Sequence, residues 1–508
     1  MGIRFVLLLF IGAAWISPAA AFQYAGENGK ITFTGYLEEQ AIYAFDKDSP
    51  EENPSSILGL EAKGGYSSWL SSKILLQAEN DGKVIDPRND KLFKQFDRIY
   101  QDKNPYVNID EAYVDFYAGK VDGRFGVQKF AWGRLDEINP TDNLNTEDFS
   151  EGGTNDEIER KIGVPSLKVN GYSDIANIEI GWIPAYVPYR LPQPGERWFP
   201  SVLKPPDVIH TGALVGDIPV STAYQDIGLP PGTAGNSELG ARISKYTGGW
   251  DVSASYFTGY DPMPLMNALV DLKAEVKNPL ALKYTTSADV TMVPEIHRMH
   301  VFGCDFTTTI SSFTVRGELA YFKNKYYNQK LDSVLEKLVT KEKADQIYNE
   351  FIKKYLSSSG KDNPQVFRID AHIPLQEDSL KYGLGLDYIY GDTSVSVQCI
   401  QEFIPDYNTD RPVYFNKDGL DTLLTFLFKQ FFLQNTMEFN FRTGYDIEFQ
   451  DVIIKPSLRY NFTDALQGTI GLLIIDGKYN DSLLGQYKNN DEIFAKLRYN
   501  FYSNLRSR

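Results

Sequence analysis

Along most of the chain, apolar and polar residues alternate over segments of about ten residues, the period of a strand with one face toward apolar surroundings and the other toward water. Between Thr314 and Phe322, the apolar Val315, Leu319 and Tyr321 interleave with Thr314, Arg316 and Glu318. Leu239, Ala241 and Ile243 alternate with Glu238, Arg242 and Ser244, and Met437, Phe439 and Phe441 alternate with Glu438, Asn440 and Arg442. Farther on, Val452, Ile454, Leu458 and Tyr460 alternate with Lys455, Ser457 and Arg459; Pro456 interrupts them and is expected to mark a bulge. The last such segment runs from Asp491 and ends on the aromatic Phe501.

The connections alternate as regularly as the strands. Turn formers such as Gly64-Gly65-Tyr66, Gly119-Lys120-Val121-Asp122, Thr247-Gly248-Gly249 and Tyr390-Gly391-Asp392 give tight connections. Between them lie long polar stretches, roughly 81-106, 132-162, 184-236, 261-297, 323-380, 404-421 and 477-491. A soluble sandwich would not keep one connection short and the next long along the whole chain. The pattern predicts an all-β transmembrane antiparallel up-and-down barrel of about eighteen strands, with sixteen as the alternative. Two of the long loops also carry helical spacing. Leu265, Ala268, Leu269, Leu272 and Val276 predict a helix within about 262-283, and Leu331, Val334, Leu335, Leu338 and Ile347 predict another within about 329-357. The two are expected to pack on each other as an extracellular cap.

The N-terminus changes where the chain is placed. Arg4, an apolar run from Phe5 to Trp15, and Ser17-Pro18-Ala19-Ala20-Ala21 have the layout of a signal peptide, residues 1-21, leaving 22-508 as a single barrel domain. No later stretch holds eighteen consecutive apolar residues, and mean hydropathy is -0.33, which excludes a helical membrane protein. Aromatic residues make up 14%, which suits girdles at two membrane interfaces. A net charge of -16 argues against binding nucleic acid. Cys304 and Cys399 fall three strands apart on this reading, roughly 14 Å at about 4.8 Å per strand, beyond disulfide reach.

Candidate chemistry is sparse. The four His assemble no catalytic triad, and His297 and His300 would point to opposite faces of a strand, so neither an enzyme nor a metal site is expected. Two isolated Cys cannot supply a haem-attachment motif, and no cofactor is implied. The polar face of the strands would line a hydrated lumen, with Arg124, Glu238, Arg242, Arg316, Glu318, Arg442 and Arg459 on its wall. The loop Trp132 to Phe149 carries Asp136, Glu137, Asp142, Glu147 and Asp148 with only Arg134 opposing them, and is expected to fold inward as a negative, cation-favouring constriction.

Residues 111 to 148 read Glu-Ala-Tyr-Val-Asp-Phe-Tyr, then Arg124-Phe125-Gly126-Val127-Gln128, Trp132-Gly133, Asp136 and Pro140-Thr141-Asp142-Asn143-Leu144-Asn145. With Trp182-Ile183-Pro184, Phe302-Gly303-Cys304-Asp305 and Tyr460 to Asp464, this resembles a porin-like family of Gram-negative outer-membrane proteins of undefined function. The family often has Pro where this chain has Thr146. The resemblance implies the barrel fold and outer-membrane location, with membrane lipid and the barrel-assembly machinery as partners, and it brings no substrate or catalytic residue. The expected function is passive diffusion of small hydrophilic solutes. The alternatives are a scaffold or sheath for another envelope protein, and export or uptake of a hydrophobic or polymeric substrate.

Overall fold

The computed structural model describes residues 23-501 except 27-28, 46-54, 81-105, 152-154, 193, 195, 201-202, 211-216, 279-282, 339-340 and 359-363. The expected signal peptide and the tail after Phe501 lie outside the described residues. Eighteen antiparallel strands close into one barrel: β1 Gly29–Ala44, β2 Ser55–Ser67, β3 Leu70–Asn80, β4 Tyr106–Ala118, β5 Val121–Gln128, β6 Val164–Gly171, β7 Asn177–Ile183, β8 Glu238–Thr247 and β9 Trp250–Tyr260 form the first half. The second half is β10 Arg298–Ile310, β11 Phe313–Asn328, β12 Pro374–Tyr390, β13 Thr393–Phe403, β14 Leu420–Phe432, β15 Met437–Asp446, β16 Asp451–Asn461, β17 Leu466–Asp476 and β18 Glu492–Phe501. Each strand pairs with its neighbour in sequence, and β18 closes on β1 with Phe501 opposite Gly35 and Glu492 opposite Ala44. Closure leaves no unpaired edge, which is what a hydrocarbon environment demands of a sheet. A four-residue strand, Gln23–Gly26, folds back on the start of β1, below the point where β18 stops.

The alternation fixes which face each residue takes. Leu319 on β11 is 42% exposed on the outside, whereas its neighbour Glu318 is 5% exposed within. Leu60, Phe125, Leu384 and Ile470 join the apolar outer surface. Trp69, Tyr117, Tyr246, Trp250, Tyr390 and Phe462 sit beside the short turns and form an aromatic girdle at that end. Two details differ from expectation. Gly64-Gly65-Tyr66 lies inside β2, and the turn comes at Ser68-Trp69. Pro456 makes no bulge: it faces outward opposite Phe441, and the pairings of β16 with β15 and β17 keep one register on either side of it. The missing N–H costs rungs with β17 without shifting the strand.

The first of the two expected loop helices is a strand. Leu265–Asn278 pairs with Lys283–Glu295 and Gln365–Asp370, and Ile218–Tyr224 and Val208–Ile209 complete a five-stranded sheet above the barrel. From Ala268 onward the residues it buries are Ala268, Val270, Leu272, Ala274 and Val276, a strict period of two that coexists with the helical spacing read from Leu265, Ala268, Leu269, Leu272 and Val276. Tertiary burial of that alternating face decided between the two periods. The second loop is helical, as α2 (Leu331–Leu338) and α3 (Lys341–Ser357), following a short α1 at Glu157–Arg160. Leu331 and Leu335 pack with Met266, Val270 and Val290, and Phe351 packs with Ala274 and Val276, so the helices cover the sheet instead of another helix.

Candidate functional site

The connection between β5 and β6 turns into the bore. Its base is closed by Asn145, whose amide accepts from the Phe130 backbone N–H at 2.8 Å and donates to the Phe130 carbonyl at 2.7 Å. Thr146–Glu147 and Lys161–Ile162 pair antiparallel and stiffen the returning arm. Phe130, Trp132 and Leu144 bury themselves against the inner wall beside Val301 and Phe322. Gly181 on β7 and Gly240 on β8 lie opposite each other, and a Cβ on either would come within 3 Å of a loop side chain, so this wall is bare where the loop presses on it. Gly133 has a positive φ of 89°, and a Cβ there would meet Asn139 and the Glu318 carboxylate at 2.9 Å. Only glycine fits that turn.

Charged contacts then carry the loop across the lumen. Glu318 on β11 accepts the backbone N–H groups of Arg134, Leu135 (2.6 Å) and Thr141 (3.0 Å) and the Thr141 hydroxyl (2.8 Å). Arg134 reaches Asp251 on β9 at 2.7 Å and Asp305 on β10 at 2.9 Å. Arg316 on β11 joins Asp136 to Asp387 on β12, and Gln398 on β13 donates to Asp136 at 2.9 Å. Arg442 on β15 binds Glu137 and Asp156, each at 2.7 Å. Since β15 lies opposite β5 and β6 in a ring of eighteen, the loop spans the full width of the barrel.

All five acids predicted for the loop lie within this network, and each has a basic partner. Asp136 pairs with Arg316, Glu137 with Arg160 and Arg442, Asp142 with Lys161 at 2.8 Å, Glu147 with Arg160 at 3.0 Å, and Asp148 with Arg190. The expectation of a bare negative cluster opposed only by Arg134 is therefore corrected: Arg160, Lys161, Arg190, Arg316 and Arg442 neutralise it. Burial raises the Asp142 carboxyl to about 6, against the opposing pull of Lys161.

The predicted wall residues divide into two groups. Arg316, Glu318 and Arg442 hold the loop. The others brace the wall: Arg124 pairs with Asp115 at 2.6 Å, Arg242 with Asp305 at 3.0 Å, and Arg459 with Glu438 at 3.3 Å, while Glu238 accepts the Tyr260 N–H at 2.8 Å. Asp156, Arg160, Lys161 and Arg190 were missed, because nothing local in the sequence says that they turn inward. His297 stacks on Tyr326 and His300 contacts the Tyr256 hydroxyl. Among the described residues, Asp421, Asp446 and Glu448 bring one carboxylate oxygen each within 4.8 Å of one another at the long-loop end, with Glu448 already bound to Thr422.

Three adjoining cavities remain between the loop and the wall β14–β18. The first, of about 400 Å³, lies among the long loops. It shares Asn155, Arg442 and Lys455 with a second of about 80 Å³, which shares Glu159, Arg459, Thr469 and Lys496 with a third of about 140 Å³. Their shared lining runs along the wall from Arg442 on β15 to Arg498 on β18 and Glu38 on β1.

No family model matches the sequence, and no curated protein matches it. Among solved structures, the chain is similar to OccAB1 of Acinetobacter baumannii, with 8% identity, 95% of this chain and 98% of that one covered, and a TM-score of 0.46. It is similar to OccK8 (OprE) of Pseudomonas aeruginosa, with 9% identity, 93% and 97% covered, and a TM-score of 0.44. It is also similar to OmpF of Salmonella typhi, determined in complex with daunomycin, with 9% identity, 94% and 100% covered, and a TM-score of 0.39. At these identities and TM-scores the likeness adds nothing to the barrel that the strand pairings show.

Proposed function

We propose that the protein is an outer-membrane pore through which small water-soluble molecules diffuse passively, with the loop between β5 and β6 as its constriction. The observation that carries this reading is the loop's attachment on both sides of the lumen: Glu318 and Arg316 grip it on one wall and Arg442 on another. A narrow, partly desolvated passage strengthens charge effects that open salt water would screen within about 8-10 Å, so the constriction sets selectivity.

Purified protein in a planar bilayer is expected to give discrete conductance steps. Neutralising Asp136, Glu137, Asp142, Glu147 and Asp148 together takes Glu137 and Glu147 from Arg160, Asp136 from Arg316 and Glu137 from Arg442, so the reversal potential under a salt gradient should move toward anion preference, and less so at high salt. An unchanged potential in a conducting channel would remove the loop from the permeation path. Absence of conductance from a folded barrel would favour the scaffold reading.

A further inference from the structure

The first of the three cavities has a lining that the strands beside it do not share. Barrel strands with a hydrated interior turn polar residues inward, and β15 does so with Asn440, Arg442 and Asp446. Its neighbour β14 turns Leu423 and Leu427 inward at the rungs of Asp446 and Arg442, and Ile453 of β16 takes the same face. These three side chains stay partly exposed on a face that meets no lipid. The long loops add Tyr189, Phe415 and Tyr487 to the lining. At about 400 Å³ the space falls within the roughly 300–1,000 Å³ range of small-molecule sites, and like them it is lined mainly by apolar side chains.

The charged groups on its border are already held. Arg160 binds Glu137 and Glu147, Arg442 binds Glu137 and Asp156, Asp136 binds Arg316 and Gln398, and Lys455 lies over the Phe494 ring at 5.5 Å. A charged guest would lose its hydration here with no free counter-charge to replace it, which is costly in an apolar space. Two neutral groups differ from these. The hydroxyls of Tyr189 and Tyr487 take no hydrogen bond among the described residues, and burial pushes both above the usual tyrosine value, so both stay protonated. Phe415 supplies a separate sign. It holds a positive φ of 62°, which an aromatic residue rarely adopts, while lining the cavity and packing on the cap cluster that includes Leu191. Backbone strain of this kind gathers at positions that hold ligands.

We infer that the cavity is a binding site for an uncharged small molecule with a compact apolar body, aromatic or alicyclic, and one hydrogen-bonding group such as a hydroxyl or carbonyl. The body rests on Leu423, Leu427, Ile453 and the Phe415 ring. The polar group meets the Tyr189 or Tyr487 hydroxyl. This goes beyond the pore reading and does not depend on it, since a site at the long loops holds its ligand whether or not the bore conducts.

The test is equilibrium dialysis of the purified full-length protein in detergent against protein-free micelles, with 4-phenylbutan-1-ol, butan-1-ol, 4-phenylbutyrate and 4-phenylbutylammonium as probes. Phenylbutanol should bind saturably, at least roughly tenfold more tightly than butanol through burial of the ring, and more tightly than either ion. Tyr189→Phe with Tyr487→Phe should weaken phenylbutanol by about fivefold, the loss of one hydrogen bond. Phe415→Gly, which removes a lining ring at a loop position whose φ suits glycine, should weaken it severalfold without touching the barrel ladder. Absence of saturable binding, equal binding of butanol and phenylbutanol, or an ion bound as tightly as the alcohol overturns the proposal, and these comparisons use the unaltered protein. Phenylbutanol affinity unchanged in both folded variants would put the ligand elsewhere and overturn it as well.

Discussion

Glu318→Ala isolates the main anchor of the inward loop. The carboxylate accepts three backbone N–H groups and one hydroxyl from residues 134–141, all on the inner face of β11. Hydrogen bonds to a charged partner contribute about 1.5–3 kcal/mol each when buried, but a wet bore lets water take over part of each bond. A value near 1 kcal/mol per bond, or about 4 kcal/mol together, is then the reasonable magnitude. That corresponds to roughly a thousandfold change in the ratio of docked to undocked segment. The barrel itself should still assemble, because no rung of its ladder involves the side chain, and Arg316 and Arg442 still hold Asp136 and Glu137. The expected result is a heat-modifiable barrel of normal mobility whose single-channel current is noisier. Arg134 keeps its side-chain pairs with Asp251 and Asp305, so the loss should show in the backbone, as faster amide hydrogen exchange at 134–141. Glu318→Gln, which keeps one acceptor oxygen, should fall between the two. Current noise and amide exchange equal to the parent protein would refute the argument that this carboxylate docks the loop.

Two further outcomes follow from the same structure. Leu319→Arg, one residue away on the lipid face, should reduce assembly through a cost of roughly 2–4 kcal/mol near the bilayer midplane, and a folded yield equal to that of Glu318→Ala would show the faces to be misassigned. Burial raises the Asp142 carboxyl from 3.8 to about 6, so the folded loop holds that proton more tightly than the unfolded chain. The resulting stabilisation is complete below the unfolded value and is lost as pH rises from about 4 through about 6, a change on the order of 3 kcal/mol. Thermal unfolding should therefore show this increment between pH 7 and pH 4 relative to Asp142→Asn, and identical pH profiles for the two proteins would contradict it.

The barrel was legible because alternation is a local property: ten residues around Glu318 and Leu319 suffice to assign both faces. Where two periods overlap, local reading fails, as at Leu265–Asn278, whose apolar residues fit a helix while its buried face obeys a period of two. The run Leu420–Phe432 hides its inner face differently, since an apolar cavity inside and lipid outside leave apolar residues on both. The inward loop announced itself through its density of acids. Its electrostatics did not, because the bases that neutralise it lie far off in sequence: Arg442 is 305 residues from Glu137, and Arg316 is 180 from Asp136. Pairings across a lumen are set by closure of the whole ring, and no window along the chain contains both partners.

Closure has a mechanical side as well. A ring of eighteen strands is a thin shell, soft toward flattening because each ladder can hinge about its own hydrogen bonds. The loop joins β9, β10 and β11 to β15 through side chains of opposite charge, and β13 through the Gln398 amide. It therefore acts as a cross-tie on that shell: squeezing the barrel along one diameter stretches or crushes ionic contacts at both ends of the tie. With the load divided among several anchors, no single one has to hold, so a residue facing the lumen can be exchanged while the cross-section, and hence the width of the space beside the tie, stays the same.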